Sequence, residues 1–477
     1  MTVPARDAVR HPIFRSFVMR RIAIILVVAL ALPAALRAQN LPTAAAVARL
    51  TDSLAAAFLA ANEAPSVAIA VVRGSDTIVM KGWGKANLEH DIPATERSVY
   101  RIGSITKQFT AAAVMRLVEQ NEVGLEDSIA AHLPGLPAAW RGVTVRQLLN
   151  HTSGIPSYTG LGEAWRRRWG EEMTPDTLVA LTASAPMWFA PGTSYRYDNT
   201  GYVLLGMLVE KHAGRPWATE IEERFGKPLG LSDTRNCGTE PVIPRRVAGY
   251  DKDDAGRWGN TAYLAMSQPY AAGALCSTVG DLVRWNQALH GGKVVIAASY
   301  AAMTTPAGAA TKRGYGFGLA RDSIAGRPAV VHGGGIHGFS ASNAWVPSAR
   351  LSVTVLANSS SADSDELLAR VARAALGAPI DAAPRVVPLA AADRDRYAGV
   401  YALELPNGVR DFTIAIAGDA LTAQLAGEGA NPIIHYGSHT FGAAFDPKLR
   451  LVFTVEGGRA TKVTLTQGGG RFDGKRK

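Results

Sequence analysis

Between Phe109 and Val118 the chain runs as a helical stretch that is apolar on most sides. A helix without a polar face has to be covered all round, so this segment belongs in the core of a large domain. The material is there: 477 residues, 47% hydrophobic and 19% charged. At ~100–200 residues per domain, about two or three units are expected. That composition excludes a disordered chain. Two cysteines exclude a disulfide scaffold. A single long apolar run excludes a polytopic membrane protein.

That run, Ile22 to Leu36, follows Arg20-Arg21 and precedes Arg37-Ala38-Gln39. A charged start, a short apolar stretch and a small residue at the cut describe a secretory signal peptide over residues 1–38. Met19 is a candidate start, and the alternative is an uncleaved anchor. No cysteine near the cut suggests a lipoprotein. The expected mature chain begins near Gln39, is periplasmic or secreted, and keeps no stable membrane span. Without the leader, which carries six basic residues and one acid, the formal charge falls from +10 to +5. The remaining charge is spread out, apart from a short basic end at Arg471, Lys475, Arg476 and Lys477. No basic patch is interleaved with aromatics, so no nucleic-acid partner is expected. An oxidising compartment permits a disulfide, and a Cys237–Cys276 bridge is expected. Neither cysteine has the setting of a nucleophile.

Residues 42–63 read as an alanine-rich helix. Ser66 to Val72 and Thr77 to Met80 read as strands around the turn Gly74-Ser75-Asp76. Residues 120–300 alternate short helices with Gly/Pro loops. Strand character returns at Tyr315–Leu319, Ala329–Val331, Asn343–Val346 and Leu351–Leu356, and Glu366 to Leu376 reads as a helix. Residues 377–389 carry Pro379, Pro384 and Pro388 and suit a linker. Beyond it, residues 390–477 read as an all-β module with strands at Gly399–Leu403, Phe412–Ile416, Leu421–Leu425, Leu451–Val455 and Ala460–Thr466.

Three motifs carry chemistry. In Arg101-Ile102-Gly103-Ser104-Ile105-Thr106-Lys107 a serine precedes a lysine by three residues as the core helix begins. Residues i and i+3 share a helix face, so Lys107 can approach the Ser104 hydroxyl. A serine hydroxyl is a weak nucleophile that needs such a neighbour. Only this one of the twelve lysines has a serine three residues before it. The bland reading is a helix cap beside a surface lysine. The second motif is Tyr197-Asp198-Asn199, the only Tyr-x-Asn among thirteen tyrosines, on a Pro/Gly loop entering an apolar helix. A phenol acts as a general base if cations depress its pKa, and the asparagine amide can fix a lysine and hold a substrate carbonyl. Tyr195 is a rival on the same loop. The third is His332-Gly333-Gly334-Gly335 behind Ala329-Val330-Val331. Glycines there let a substrate backbone lie close, and a Gly335 N–H with that of Ser104 can form an oxyanion hole.

Together these motifs resemble the serine β-lactamase and penicillin-binding protein superfamily. The nearest branch holds class C β-lactamases, DD-peptidases, D-aminopeptidases and esterases. Tyr100–Lys107, Leu148–Ile155 and Ala272–Thr278 are similar to that branch as well, and the resemblance covers roughly residues 42–376, within an expected domain of 39–376. It implies an α/β (α+β) fold: an antiparallel sheet flanked by helices, an inserted all-α part, and a site at their junction. It implies Ser104 as the acylated nucleophile, proton transfer shared by Lys107 and Tyr197, and substrate binding by Asn199, His332, Gly334 and Gly335. The expected substrates are small molecules or peptides, peptidoglycan-derived ones among them, with the scissile group a D-peptide, D-amino-acid amide, short ester or β-lactam. Neither cofactor nor metal is expected. The C-terminal module resembles lipocalin-like β modules.

Two positions depart from the family pattern. His332 stands where many β-lactamases carry lysine, and a histidine is largely neutral at pH 7. This favours a peptidase, amidase or esterase over an efficient β-lactamase. Asp198 replaces a Ser or Ala and is expected to point outward. An α/β-hydrolase is excluded because no Gly-x-Ser-x-Gly occurs, and a metallo-β-lactamase because no His-x-His-x-Asp-His cluster does. The surviving alternative is a non-catalytic binding or sensor protein on the same fold.

Overall fold

The strand Ser66–Arg73 is buried along almost its whole length and sits in the middle of the molecule's main sheet. Val67, Ile69 and Val71 face one side; Ala68, Ala70 and Val72 face the other, as the two-residue strand repeat requires. The structure, a computed structural model, describes residues 41–477 except 254, 381–385, 406–407, 444, 447–448 and 468–469. The expected leader and the centre of the expected linker lie outside the described residues.

The seven strands run in the order Ile92–Pro93, Asp76–Asn87, Ser66–Arg73, Leu351–Ala357, Phe339–Val346, Arg327–Ile336 and Ala320–Ile324. Every pairing is antiparallel. The valine face packs under the helices Ala44–Ala60 and Ser364–Ala375 through Val47, Leu54, Leu367 and Val371. The alanine face receives the helix Val279–His290, and the core helix Thr106–Glu119 lies in the same hydrophobic core. Phe109 of this helix stacks on Trp285 with ring centroids 3.8 Å apart. Burial of each such ring stabilises by about 2–3 kcal/mol. The other side of the core helix is covered by the helical region between residues 129 and 229, of which Thr200–Ala213 is the longest helix. The fold is therefore the sheet-and-helix architecture expected, with helices inserted between its early and late strands.

A buried polar ladder ties the helix Val279–His290 to the sheet. Asn286 donates to Asn343 Oδ1 and Ser352 Oγ, both at 2.8 Å, and Asn343 donates back to Asn286 Oδ1 at 2.7 Å. Asn343→Leu strands Asn286 and Thr354, each a desolvation cost of about 1–3 kcal/mol. Urea unfolding of that variant should show a stability loss of roughly 2–4 kcal/mol. A loss below about 0.5 kcal/mol would show the ladder to be dispensable.

The sequence reading of Tyr315–Leu319 as a strand is corrected. Gly318 has φ +65°, and a Cβ on Gly316 would lie 2.0 Å from the Met303 carbonyl oxygen. The segment is a tight buried turn, and the strand begins at Ala320. Downstream, eight antiparallel strands between Gly399 and Arg476 close an up-and-down barrel, the topology of lipocalins. An eight-stranded barrel is narrow enough for side chains to fill, and Tyr401, Phe412, Phe441, Leu451 and Phe453 do so here. Five strands were expected. The strands Asn431–Gly437, Thr440–Ala443 and Gly470–Arg476 complete the eight. The basic chain end is itself the closing strand: Arg476 donates to the carbonyls of Ala460 at 3.0 Å, Arg396 at 3.3 Å, and Ala398.

Candidate active site

The short strand Tyr100–Arg101 pairs with Leu275–Ser277, and the chain then turns sharply at Gly103, where φ is +49°. Gly103–Ile105 form one 3₁₀ turn that delivers Ser104 just ahead of the core helix and leaves Lys107 in its first turn. The strand Arg327–Ile336 passes directly over this turn. A Cβ on Gly334 would lie 2.0 Å from the Ile102 carbonyl oxygen and 3.3 Å from the Ser104 nitrogen, so only glycine fits. At Gly335 the equivalent space is open. A Cβ on Gly103 would in turn lie 3.0 Å from the Gly335 nitrogen, which places the Ser104 and Gly335 backbones side by side.

Lys107 is completely buried. Its Nζ is 3.2 Å from Ser104 Oγ, 2.8 Å from Asn199 Oδ1 and 2.8 Å from the Ala272 carbonyl oxygen. Burial brings its pKa down to about 7, against an opposing pull from the Asp198 carboxylate. Asn199 is held with its oxygen toward the lysine because its Nδ2 donates to Thr159 Oγ1 at 3.1 Å, while its backbone N–H donates to Ser157 Oγ at 3.0 Å. The Tyr197 ring lies 4.7 Å from Lys107 Nζ. Its buried hydroxyl has no hydrogen-bond partner among the described residues. Burial pushes the phenol pKa well up; Ser104 opposes the rise, and Tyr195 and Asp198 add to it. Tyr195 lies on the same loop and is raised by burial too.

Asp198 points inward, contrary to expectation: it is 1% exposed. Its carboxylate accepts from the Gly201 N–H and so caps the Thr200–Ala213 helix, and it accepts from Ser153 Oγ at 3.4 Å. His332 is buried, and both its nitrogens are engaged. The Gly333 carbonyl, 2.6 Å from Nδ1, can only accept, so Nδ1 carries the proton. Nε2 then accepts from the Tyr315 hydroxyl at 2.8 Å. Burial lowers its pKa to about 3, so it presents no cation to a substrate.

The structure thus brings Ser104, Lys107, Tyr197, Asn199, His332, Gly334 and Gly335 to one place. Sequence reasoning missed Ala272, Ser157, Thr159 and Tyr315. It also missed His151, which lies within Leu148–Ile155 and is fully buried, its ring centroid 4.1 Å from that of Tyr197. The expected Cys237–Cys276 bridge is not formed: both are free, buried thiols. Arg235 pairs with Cys276 and Asn236 with Leu275, so Cys237 is a diagonal neighbour of Cys276. The two thiols contact each other, and that contact, with burial adding to it, pushes Cys276 well up. No His/Cys/Asp/Glu cluster suited to a metal occurs among the described residues, nor does any helix long and apolar enough to cross a membrane.

An antiparallel sheet flanked by helices, with a serine and a buried lysine at its junction with an inserted helical part, is the architecture of the β-lactamase and penicillin-binding type. The Beta-lactamase family model matches residues 51–377, and the chain belongs to that family. It is 29% identical over 294 residues to penicillin-binding protein 4* of Bacillus subtilis, covering 57% of this chain and 63% of that protein. It is 27% identical over 347 residues to a D-aminopeptidase of Gluconobacter oxydans, covering 70% and 64%. The chain thus spans just under two thirds of these two relatives. Among solved structures, a D-stereospecific amidohydrolase from Streptomyces sp. is similar with TM-score 0.59 and 32% identity, over 70% of this chain and 98% of that one.

Proposed function

We propose that this protein is a secreted hydrolase that cuts amide bonds of D-amino-acid amides and small D-peptides through a Ser104 acyl-enzyme. The observation that carries the reading is the three-way setting of Lys107 Nζ. A charged lysine gives one hydrogen to each neighbour. A neutral one keeps its two hydrogens on Asn199 Oδ1 and the Ala272 carbonyl, which can only accept, so its lone pair faces Ser104 Oγ. With a pKa near 7, the neutral form is well populated where the reaction runs.

Lys107 then takes the Ser104 proton as Oγ bonds the substrate carbonyl carbon. The Ser104 and Gly335 N–H groups take the developing oxyanion. Collapse breaks the C–N bond, and the departing nitrogen takes a proton from the Tyr197 phenol, which Lys107 replenishes. Tyr197 suits that role because burial keeps it protonated. Water attacks the acyl-enzyme by the reverse path. A neutral, doubly bonded His332 gives a β-lactam carboxylate no ion pair, which makes β-lactams poor substrates.

The D-preference rests on the names of the relatives, and secretion rests on the Arg20–Gln39 leader pattern. The test is a comparison of D- and L-alanine p-nitroanilide with a chromogenic cephalosporin. The D-anilide should be turned over about 10²-fold faster than either of the others. A faster cephalosporin would make the protein a β-lactamase instead.

A further inference from the structure

Arg101 has no part in the mechanism above, yet it lies three residues before the nucleophile. Its guanidinium sits 5.7 Å from the Phe339 ring centroid. Arg101 and Arg246, with Phe339, Tyr263, Thr261 and the Gly249 backbone, line a cavity of about 270 Å³. No carboxylate lines it. Neither guanidinium forms an ion pair among the described residues, and Arg246 spends one N–H on the Gly238 carbonyl at 2.9 Å. The nearby Asp251 is already engaged by Thr261 Oγ1 and by the Ser360 N–H at 3.3 Å. One Arg246 N–H is spent on Gly238 and Arg101 also bonds Cys237, yet both guanidinium groups border a space walled by two aromatic rings and lined by no carboxylate.

The cavity is close to the chemistry. Three residues of chain reach at most about 11 Å, so Arg101 lies within that distance of Ser104 along the backbone. Phe339 pairs with Ile336, the neighbour of Gly335. An extended substrate running past Gly335 covers such a distance with about three residues.

We propose that Arg101 and Arg246 form a carboxylate subsite of the Ser104 cleft, which takes a carboxylate two or three residues from the scissile bond. This rests on the hydrolase reading and deepens it by naming a carboxylate as the feature recognised on its short-peptide substrates. Arginine suits the role because its planar fork bonds both carboxylate oxygens at once. The carboxylate can be a peptide's C-terminus or an acidic side chain.

Binding without turnover separates the two claims. Ser104→Ala protein is titrated calorimetrically with three D-alanyl tripeptides: a free acid, its C-terminal amide, and an amide bearing D-glutamate at the third position. The free acid should bind at least tenfold tighter than the plain amide, and Arg246→Gln should collapse that ratio toward one, with Arg246→Lys restoring part of it. If the D-glutamate amide alone gains the advantage, the carboxylate is a side chain. Equal affinity for all three peptides, or a ratio untouched by Arg246→Gln, overturns the subsite. Failure of the Ser104-containing protein to cleave any of them overturns the hydrolase reading alone.

Discussion

Ser104→Ala should abolish turnover of the D-anilide, lowering kcat by about 10⁴-fold or more, with the fold intact. Structure and chemistry separate cleanly at this residue. The Ser104 hydroxyl oxygen accepts from Lys107 Nζ, and the glycine contacts that shape its turn belong to Gly103 and Gly334. Removing the hydroxyl therefore deletes the nucleophile and little else. Unchanged circular dichroism and melting temperature, with turnover lost, are the expected pair of results. Residual activity within tenfold of wild type would assign the nucleophile elsewhere.

Lys107→Met should cost a comparable factor, about 10⁴-fold in kcat/KM, and the double variant should be scarcely worse than either single one. Members of one catalytic unit fail together, because a serine without a base is as inert as a base without a serine. The wild-type pH profile carries the same claim. Only the neutral amine accepts the serine proton, so kcat/KM should fall as pH drops below about 7, roughly tenfold per unit, and level off above it. His332 has a pKa of about 3 and should add no inflection in that range. Methionine fills the buried channel without a charge. It leaves Asn199 Oδ1 and the Ala272 carbonyl without their donor, at about 1–3 kcal/mol each, and this is partly offset because no amine is buried. The variant should fold with a lowered melting temperature. A profile flat from pH 5 to 9 would remove Lys107 from the role of base.

The parts of this site that sequence could show are those in which a residue type is itself the signal. Ser104, Lys107, Tyr197, Asn199 and His332 announce themselves by functional groups at fixed spacings, and they do converge. The Ala272 acceptor is a backbone carbonyl, and its side chain says nothing of that role. Ser157 and Thr159 act by orienting an amide, which depends on distance in space rather than along the chain. Asp198 looked like a surface charge because capping a helix from within a buried loop leaves no periodic trace. The barrel was half legible for a related reason: its last strand, Gly470–Arg476, interleaves Phe472 and Gly474 with charged residues and reads as a polar tail. The turn at Tyr315–Leu319 misled because strand-like aromatics there are separated by glycines that fold the chain back on itself. The core helix and the buried central strands, where hydrophobic pattern and burial coincide, were plain from the start.

The most direct test is active-site labelling with an aryl fluorophosphonate, whose phosphorus bonds the nucleophilic oxygen as fluoride leaves and whose product does not hydrolyse. Intact mass should rise by one adduct per chain, on the peptide Ile102–Lys107. Ser104→Ala should take up none, and Lys107→Met should label far more slowly. An adduct on any other residue, or equal labelling of Ser104→Ala, would contradict the account.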